Sequence, residues 1–260
     1  MIIDNYDSFI FDLDGTIYLS DRLIKGAKEV INYINSVKKD YVFLTNKPLA
    51  TKKEYSSKLT QMGIKTTEEN IITSSYVTAQ YLKEKSPGAK CYIIGEEALK
   101  YELIEAGLIV TNNLKEVDYL IASFDRRFNY NKLNNALQLI KKGVKFVATN
   151  PDKTCPVEGG EIPDTAGMIG AIEGTSGKKV EKIFGKPSKE IITIAINKMN
   201  VKDLKKCLMI GDRIETDIIM GIENGLSTAL VLSGVSNKCD YINSNLEPDH
   251  ILKSVYDLLK

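Results

Sequence analysis

The stretch Phe9-Ile10-Phe11-Asp12-Leu13-Asp14-Gly15-Thr16 constrains this chain more than any other. Three apolar residues with strong strand preference run directly into two carboxylates at alternate positions and then a glycine, the pattern of a buried strand that stops at a charged site. Two ionised aspartates at i and i+2 repel, so a fold that keeps them must supply a cation, a shared proton or water. Gly15 permits a sharp turn there, where main-chain N–H groups can close on a small ligand. Without further context the same residues also suit a plain strand-to-helix turn with Asp14 as N-cap.

The rest of the chain repeats the strand-then-helix rhythm. Apolar residues at helical spacing predict a helix over about Lys25 to Lys38, followed by a buried strand Tyr41 to Leu44 that halts at Thr45-Asn46-Lys47-Pro48. Helices are predicted over Lys52 to Met62 and Ser74 to Lys85. A fresh alternation follows: strand Cys91 to Ile94, helix Glu96 to Ala106, strand Tyr119 to Ala122, helix Tyr130 to Lys142, strand Lys145 to Ala148. A glycine-rich stretch from Cys155 to Gly177 holds one helix near Ala166 to Glu173. Gly167, Gly170 and Gly174 do not leave a strand directly and so do not make a dinucleotide fingerprint. In the last third, Gly185-Lys186-Pro187-Ser188 opens a helix Lys189 to Met199. A strand Cys207 to Ile210 then runs into Gly211-Asp212-Arg213-Ile214-Glu215-Thr216-Asp217. A helix to Asn224, a strand Thr228 to Leu232 and a terminal helix complete the expectation. Repeated βα units imply a parallel sheet covered by helices, an α/β doubly wound architecture.

Composition removes several mechanisms. His250 is the single histidine, which excludes Ser-His-Asp hydrolysis, histidine-rich metal sites and phosphorelay histidines. Cys91, Cys155, Cys207 and Cys239 are scattered, with no Cys-x-x-Cys pair, so neither a zinc site nor a redox dithiol is expected and a reduced, cytoplasmic setting is the simplest account. Net charge is +1 with lysines spread along the chain, which gives no basic stripe for nucleic acid. No apolar run has the length of a membrane span, and Asp4, Asp7, Asp12 and Asp14 interrupt the N-terminal region where a signal peptide would need continuity. Acid, base and nucleophile must therefore be sought among carboxylates, lysines, cysteines and hydroxyls.

In an open parallel sheet the carboxyl ends of the strands share one edge, and ligands bind there. Asp12, Asp14, Thr45 and Asp212 all directly follow apolar strands, and Lys186 opens a helix in the same half of the fold. Three carboxylates, a hydroxyl, an ammonium and several helix N-termini are the parts that hold a divalent cation beside a phosphoryl group, and all-oxygen donors suit Mg²⁺.

These four motifs, in this order, resemble the haloacid dehalogenase superfamily: Asp12-Leu13-Asp14-Gly15-Thr16, Thr45-Asn46, Lys186 in Gly-Lys-Pro-Ser, and Gly211-Asp212-Arg213 through Asp217. More narrowly the chain is similar to the NagD and 4-nitrophenylphosphatase branch (subfamily IIA), which shares the Thr-Asn, a Thr-Asn-Pro-Asp like Thr149 to Asp152, and the Gly-Lys-Pro-Ser. The resemblance implies a Rossmann-like core and a Mg²⁺-dependent phosphomonoesterase. Asp12 would be its nucleophile and Asp14 its general acid and base. Asp12, Asp212 and the main-chain carbonyl of Asp14 would hold the metal. Thr45 and N–H groups around Leu13 and Asn46 would bind phosphoryl oxygens, and Lys186 would neutralise them, with Asp217 supporting Lys186 or the metal from behind. Thr45 as a bare N-cap, Lys186 as a surface lysine and Asp217 as a first-turn helix acid are the competing readings.

Asn46 and Lys186 are 140 positions apart, so a domain must be inserted between the second and third motifs. The resemblance makes it the larger α/β (C2) cap. We expect core at 1–78, cap at 79–182 and core again at 183–260. Asn150, Asp152 and Arg126 follow cap strands and are the candidates for contacting the leaving group, although Arg126 and Arg127 also suit a solvated pair. Asp164-Thr165-Ala166 departs from the glycine-rich turn of the branch. The expected partner is a small phosphorylated metabolite, a sugar phosphate or nucleoside monophosphate, and whether two copies pair as a homodimer stays open. The rival functions are a phosphotransferase or phosphomutase using the same phosphoenzyme, and a non-catalytic phosphoacceptor module.

Overall fold

Phe9, Ile10 and Phe11 are completely buried, and their strand, Ser8–Phe11, lies in the middle of a six-stranded sheet. A strand flanked on both sides and covered on both faces has no polar row, which is why these positions read as an unbroken apolar run. The computed structural model describes residues 1–157 and 159–260. The sheet order is His250–Leu252, Ser227–Val231, Cys207–Gly211, Ser8–Phe11, Asp40–Thr45, Ile71–Thr73. Ser8–Phe11 pairs in parallel with both neighbours, Phe11 standing opposite Ile210 on one side and Phe43 on the other. The rings of Phe9 and Phe11 stack at 6.1 Å between centroids, and Phe11 and Phe43 lie at the same separation. Each fully buried aromatic of this kind contributes about 1.5–3 kcal/mol of transfer free energy.

From Ser8–Phe11 the chain steps outward to Asp40–Thr45 and Ile71–Thr73, then returns on the other side at Cys207–Gly211. The direction of winding therefore reverses between Ser8–Phe11 and Cys207–Gly211. At such a switch point the segments leaving the two strands diverge and leave a crevice at the carboxyl edge. Asp12 and Asp212 are the residues that leave those two strands.

The chain forms two compact units, one of Met1–Thr45, Lys52–Ile72 and Lys186–Lys260, the other of Asn46–Thr51 and Thr73–Gly185. The second has its own five-stranded parallel sheet, in the order Lys182–Ile183, Lys145–Ala148, Tyr119–Ala122, Lys90–Ile94, Ile109–Val110. Ile94, Leu120, Ala122 and Phe146 from the strands pack with Ala136 and Leu139 of the helix Tyr130–Lys141 and with Ile172 of the helix Thr165–Ser176.

Several elements differ from the sequence expectation. The helix Ser74–Lys85 falls wholly in the second unit, whereas a boundary at residue 79 would cut it. Thr73 caps it by accepting the Tyr76 N–H at 3.1 Å, so the helix starts as soon as the chain leaves its core strand. At the other end Lys182 and Ile183 pair with Val147 and Ala148, which carries the second unit to Gly185. The terminal helix is instead a short helix Lys238–Asn243, an edge strand His250–Leu252 and a 3₁₀ turn Val255–Leu259. Asn245, at φ +55°, and Pro248 end the helical path there, and backbone pairing with Ala229 to Val231 takes over. The strand Ile71–Thr73 and the hairpin Thr154–Val157 with Gly160–Pro163 were not expected; both are too short to show alternation.

Candidate active site

Asp12, Asp212 and Asp217 offer one carboxylate oxygen each within 4.8 Å of one another, and all three residues are buried. The Lys186 ammonium sits among them. It is hydrogen-bonded to Asp12 Oδ1 and lies 2.7 Å from Asp217 Oδ1 and 3.4 Å from the Leu44 carbonyl. Asp12, Asp14, Thr45, Lys186, Asp212 and Asp217 all belong to the first unit. Two strand ends of one sheet and two later turns thus bring acids from both halves of the sequence together.

Each side chain is held by local geometry. Asp12 N donates to Ile210 O at 2.8 Å, which extends the ladder one residue past the strand. The backbone then turns: Leu13 O accepts Ile17 N at 2.9 Å, and Gly15 N donates to Tyr18 O at 2.7 Å. Gly15 adopts φ +87°, and a Cβ there would run into the Asp212 carboxylate, so both conformation and space require glycine. Asp14 is half-buried and receives the Tyr18 hydroxyl on Oδ2 at 3.4 Å. Thr45 is buried at the end of its strand.

Asp217 lies on a π-helical turn, Ile214–Ile218, which Ile218 N closes by donating to Arg213 O at 3.3 Å. Its side chain occupies the space a Cβ on Gly211 would need, and its Oδ2 accepts Arg213 N at 3.1 Å. Asp217 therefore pairs with Lys186 and stands beside the other two acids.

Sequence reasoning missed the loop after the strand Ser227–Val231. Val235 N donates to Asp212 Oδ2 at 2.6 Å, Ser236 N to Asp212 O at 3.1 Å, and Ser233 Oγ to Gly15 O at 2.8 Å. The available signal was Ser233-Gly234-Val235-Ser236, small residues directly after another buried strand.

Burial raises the Asp12 carboxyl well above the usual carboxylate range; Lys186 pulls against it, while Asp217 and Asp212 reinforce it. Burial likewise raises Asp212 to about 7, with Asp217 adding to the effect and the Val235 N–H and Lys186 opposing it. Burial works to lower Lys186, but Asp12 and Asp217 outweigh it and hold the ammonium above its ordinary value. Three buried carboxylates facing one ammonium leave a local excess of negative charge, and every donor is oxygen. Such a set fits a hard divalent cation.

The second unit arranges its candidates differently. Arg126 is exposed and forks onto Glu96, with Nε at 2.6 Å from Oε1 and Nη2 at 2.5 Å from Oε2, so its guanidinium is occupied by a surface ion pair. Asn150 is fully buried: its amide nitrogen donates to Asp152 at 2.7 Å and Asp164 at 3.1 Å, and its oxygen accepts the hydroxyls of Thr149 and Thr165. A side chain so engaged braces its neighbours. The Asn46 amide is also engaged, donating to Asp152 Oδ2 at 2.8 Å. Asp164, in place of the expected glycine-rich turn, starts the helix Thr165–Ser176 as its N-cap. Truncating Asn150 to alanine removes one hydrogen bond from each of two carboxylates and two hydroxyls, and chemical denaturation is expected to show a loss of about 2–4 kcal/mol.

A family model described as haloacid dehalogenase-like hydrolase matches residues 9–109, and a second, HAD-hydrolase-like, matches residues 183–258. Sugar-phosphatase AraL of Bacillus subtilis is 38% identical over 96% of this chain and 91% of its own. The chain belongs to the haloacid dehalogenase-like hydrolases. Among solved structures, the 4-nitrophenylphosphatase of Thermotoga maritima superposes with a TM-score of 0.93 at 30% identity, covering 99% of this chain and 98% of that one. NagD of E. coli superposes with a TM-score of 0.88 at 32% identity, covering 97% and 98%. This member of the family is a phosphatase of the NagD and 4-nitrophenylphosphatase branch, with an α/β Rossmann-like core. Among the described residues, no helix is long and apolar enough to cross a membrane.

Proposed function

We propose that this phosphatase hydrolyses a small phosphomonoester, a sugar phosphate or nucleoside monophosphate, through an aspartyl-phosphate on Asp12. The observation that carries the reading is the Lys186 ammonium bound between Asp12 and Asp217 in a buried group of acids. An Asp12 oxygen attacks phosphorus as the bond to the leaving oxygen breaks, and Asp14 supplies that oxygen with a proton. Asp14 then takes a proton from water, whose oxygen attacks phosphorus and returns Asp12 as carboxylate with release of inorganic phosphate. Lys186, the Thr45 hydroxyl and main-chain N–H groups around Leu13 and Asn46 balance charge on the phosphoryl oxygens. Asp12, Asp212 and the Asp14 carbonyl would hold Mg²⁺, supported by Asp217, and the ion would supply positive charge against the repulsion between nucleophile and phosphate. The second unit is the cap, whose residues select the leaving group. Release of phosphate into water from 4-nitrophenyl phosphate tests the reading; transfer to an added sugar would favour a phosphotransferase, and no turnover a phosphoacceptor module.

Metal binding has a readout of its own. A carboxyl whose pKa is raised by folding makes the folded state bind more protons than the unfolded one, so its contribution to stability declines as pH rises between the two values. For Asp212 that window runs from about 4 to about 7. Mg²⁺ competes with those protons, and differential scanning fluorimetry is expected to show an upward shift of several degrees at about pH 8 and a smaller one at about pH 5.5.

A further inference from the structure

Asn46, Thr73 and Gly185 are residues at which the chain enters or leaves the second unit, and there Asn46 meets both Gly185 and Ser74, the residue after Thr73. The Ser74 hydroxyl, fully buried, donates to the Asn46 carbonyl at 2.6 Å. Gly185 N donates to Thr149 O at 2.6 Å, and a Cβ on residue 185 would stand 2.5 Å from Asn46 Oδ1. The Asn46 amide in turn donates to Asp152 Oδ2 at 2.8 Å, the same oxygen that takes the Asn150 amide at 2.7 Å. Asn150 passes the connection to Asp164 at the start of the helix Thr165–Ser176. One carboxylate oxygen thus ties the residue directly after Thr45 to a buried network anchored in the second sheet.

We infer that Asp152 is a positioning residue: it fixes the Asn46 side chain, and through Asn46 the backbone beginning at Thr45, so that the phosphate-binding groups of that segment stand ready for substrate. The inference rests on the proposed role of the Thr45-Asn46 segment in binding phosphate. It removes Asp152 from the residues that contact the leaving group and makes its effect independent of what the leaving group is. The carboxylate is suited to the task because one charged oxygen accepts two amide donors in charge-assisted hydrogen bonds, whereas an apolar side chain would leave both donors without it.

The test is a double-mutant cycle on Asn46 and Asp152, read by steady-state hydrolysis of 4-nitrophenyl phosphate and by inhibition with inorganic phosphate. Asp152→Ala is expected to raise KM and the phosphate inhibition constant by about tenfold, with kcat changing by less than about threefold. Asp152→Asn, which keeps an acceptor oxygen, should recover most of that loss. The double variant Asn46→Ala/Asp152→Ala should be no weaker than Asn46→Ala alone, because the second substitution removes a partner already gone. Thermal denaturation of each variant checks that it is folded. Multiplying single effects, an Asp152→Asn variant as impaired as Asp152→Ala, or an Asp152→Ala variant with unchanged KM and phosphate inhibition would each overturn the proposal. Asp12→Asn serves as the separate control: activity surviving in it would overturn the nucleophile assignment while leaving the coupling between 46 and 152 measurable.

Discussion

Asp12→Asn is expected to lower turnover of 4-nitrophenyl phosphate by about four orders of magnitude or more, measured as initial rates on purified protein. The amide is nearly isosteric, so the Lys186 contact and the turn through Gly15 persist, but an uncharged amide oxygen is a poor nucleophile toward phosphorus. The variant also removes one of three mutually repelling buried carboxylates. Its melting temperature is therefore expected to stay near or above that of the wild type, which separates a chemical defect from a folding defect. Near-normal turnover in this variant would dismiss Asp12 as the nucleophile.

Lys186→Met has the largest expected effect on stability. The ammonium is buried against Asp12 and Asp217, and its loss leaves Asp12, Asp212 and Asp217 without their cation. Removing one partner of a buried ion pair costs about 3–5 kcal/mol, because the surviving charges remain desolvated. The sign with pH follows from the acids. Asp12 and Asp212 already sit above the usual carboxylate range through burial, and losing Lys186 pushes them further up. Between their unfolded and folded values the native state holds extra protons, so the variant is expected to lose stability as pH rises, falling furthest behind the wild type above about pH 7. Urea denaturation at about pH 5.5 and about pH 8 measures this, and added Mg²⁺ should restore part of the loss at the higher pH. A variant equally stable at both would show that the acids are balanced by something other than this lysine.

Much of the core was legible because its strands are buried on both faces. Phe9 to Phe11 and Leu208 to Ile210 carry no polar residue, so their ends are marked sharply by Asp12 and Gly211. The strands Tyr119–Ala122 and Lys145–Ala148 and the helix Ser74–Lys85 follow the same logic, each bounded by a change of polarity or a capping residue. The edge strands Ile71–Thr73 and His250–Leu252 were not legible, since three residues carry no periodicity and their stability comes from backbone pairing with a neighbour. Side-chain roles divide in the same way. Asp12 and Asp212 stood out because an acid directly after an apolar strand is costly without a purpose, whereas the Val235 N–H that holds Asp212 is a main-chain group, marked in the sequence only by the small residues around it.

By itself the sequence determined that this is a parallel α/β protein with a second unit between its second and third motifs, whose charged residues gather at strand ends. Local pattern suffices for that, because burial, turn geometry and charge are properties of neighbouring residues. Only the tertiary structure decided that Asp217 joins Asp12 and Asp212 around one ammonium, that Arg126 is taken up by Glu96, and that Asn46, Asn150 and Asp152 bind one another. Those pairings join residues up to about two hundred positions apart. Which of several chemically equivalent partners a polar group takes depends on distance and burial, and the linear order of residues specifies neither.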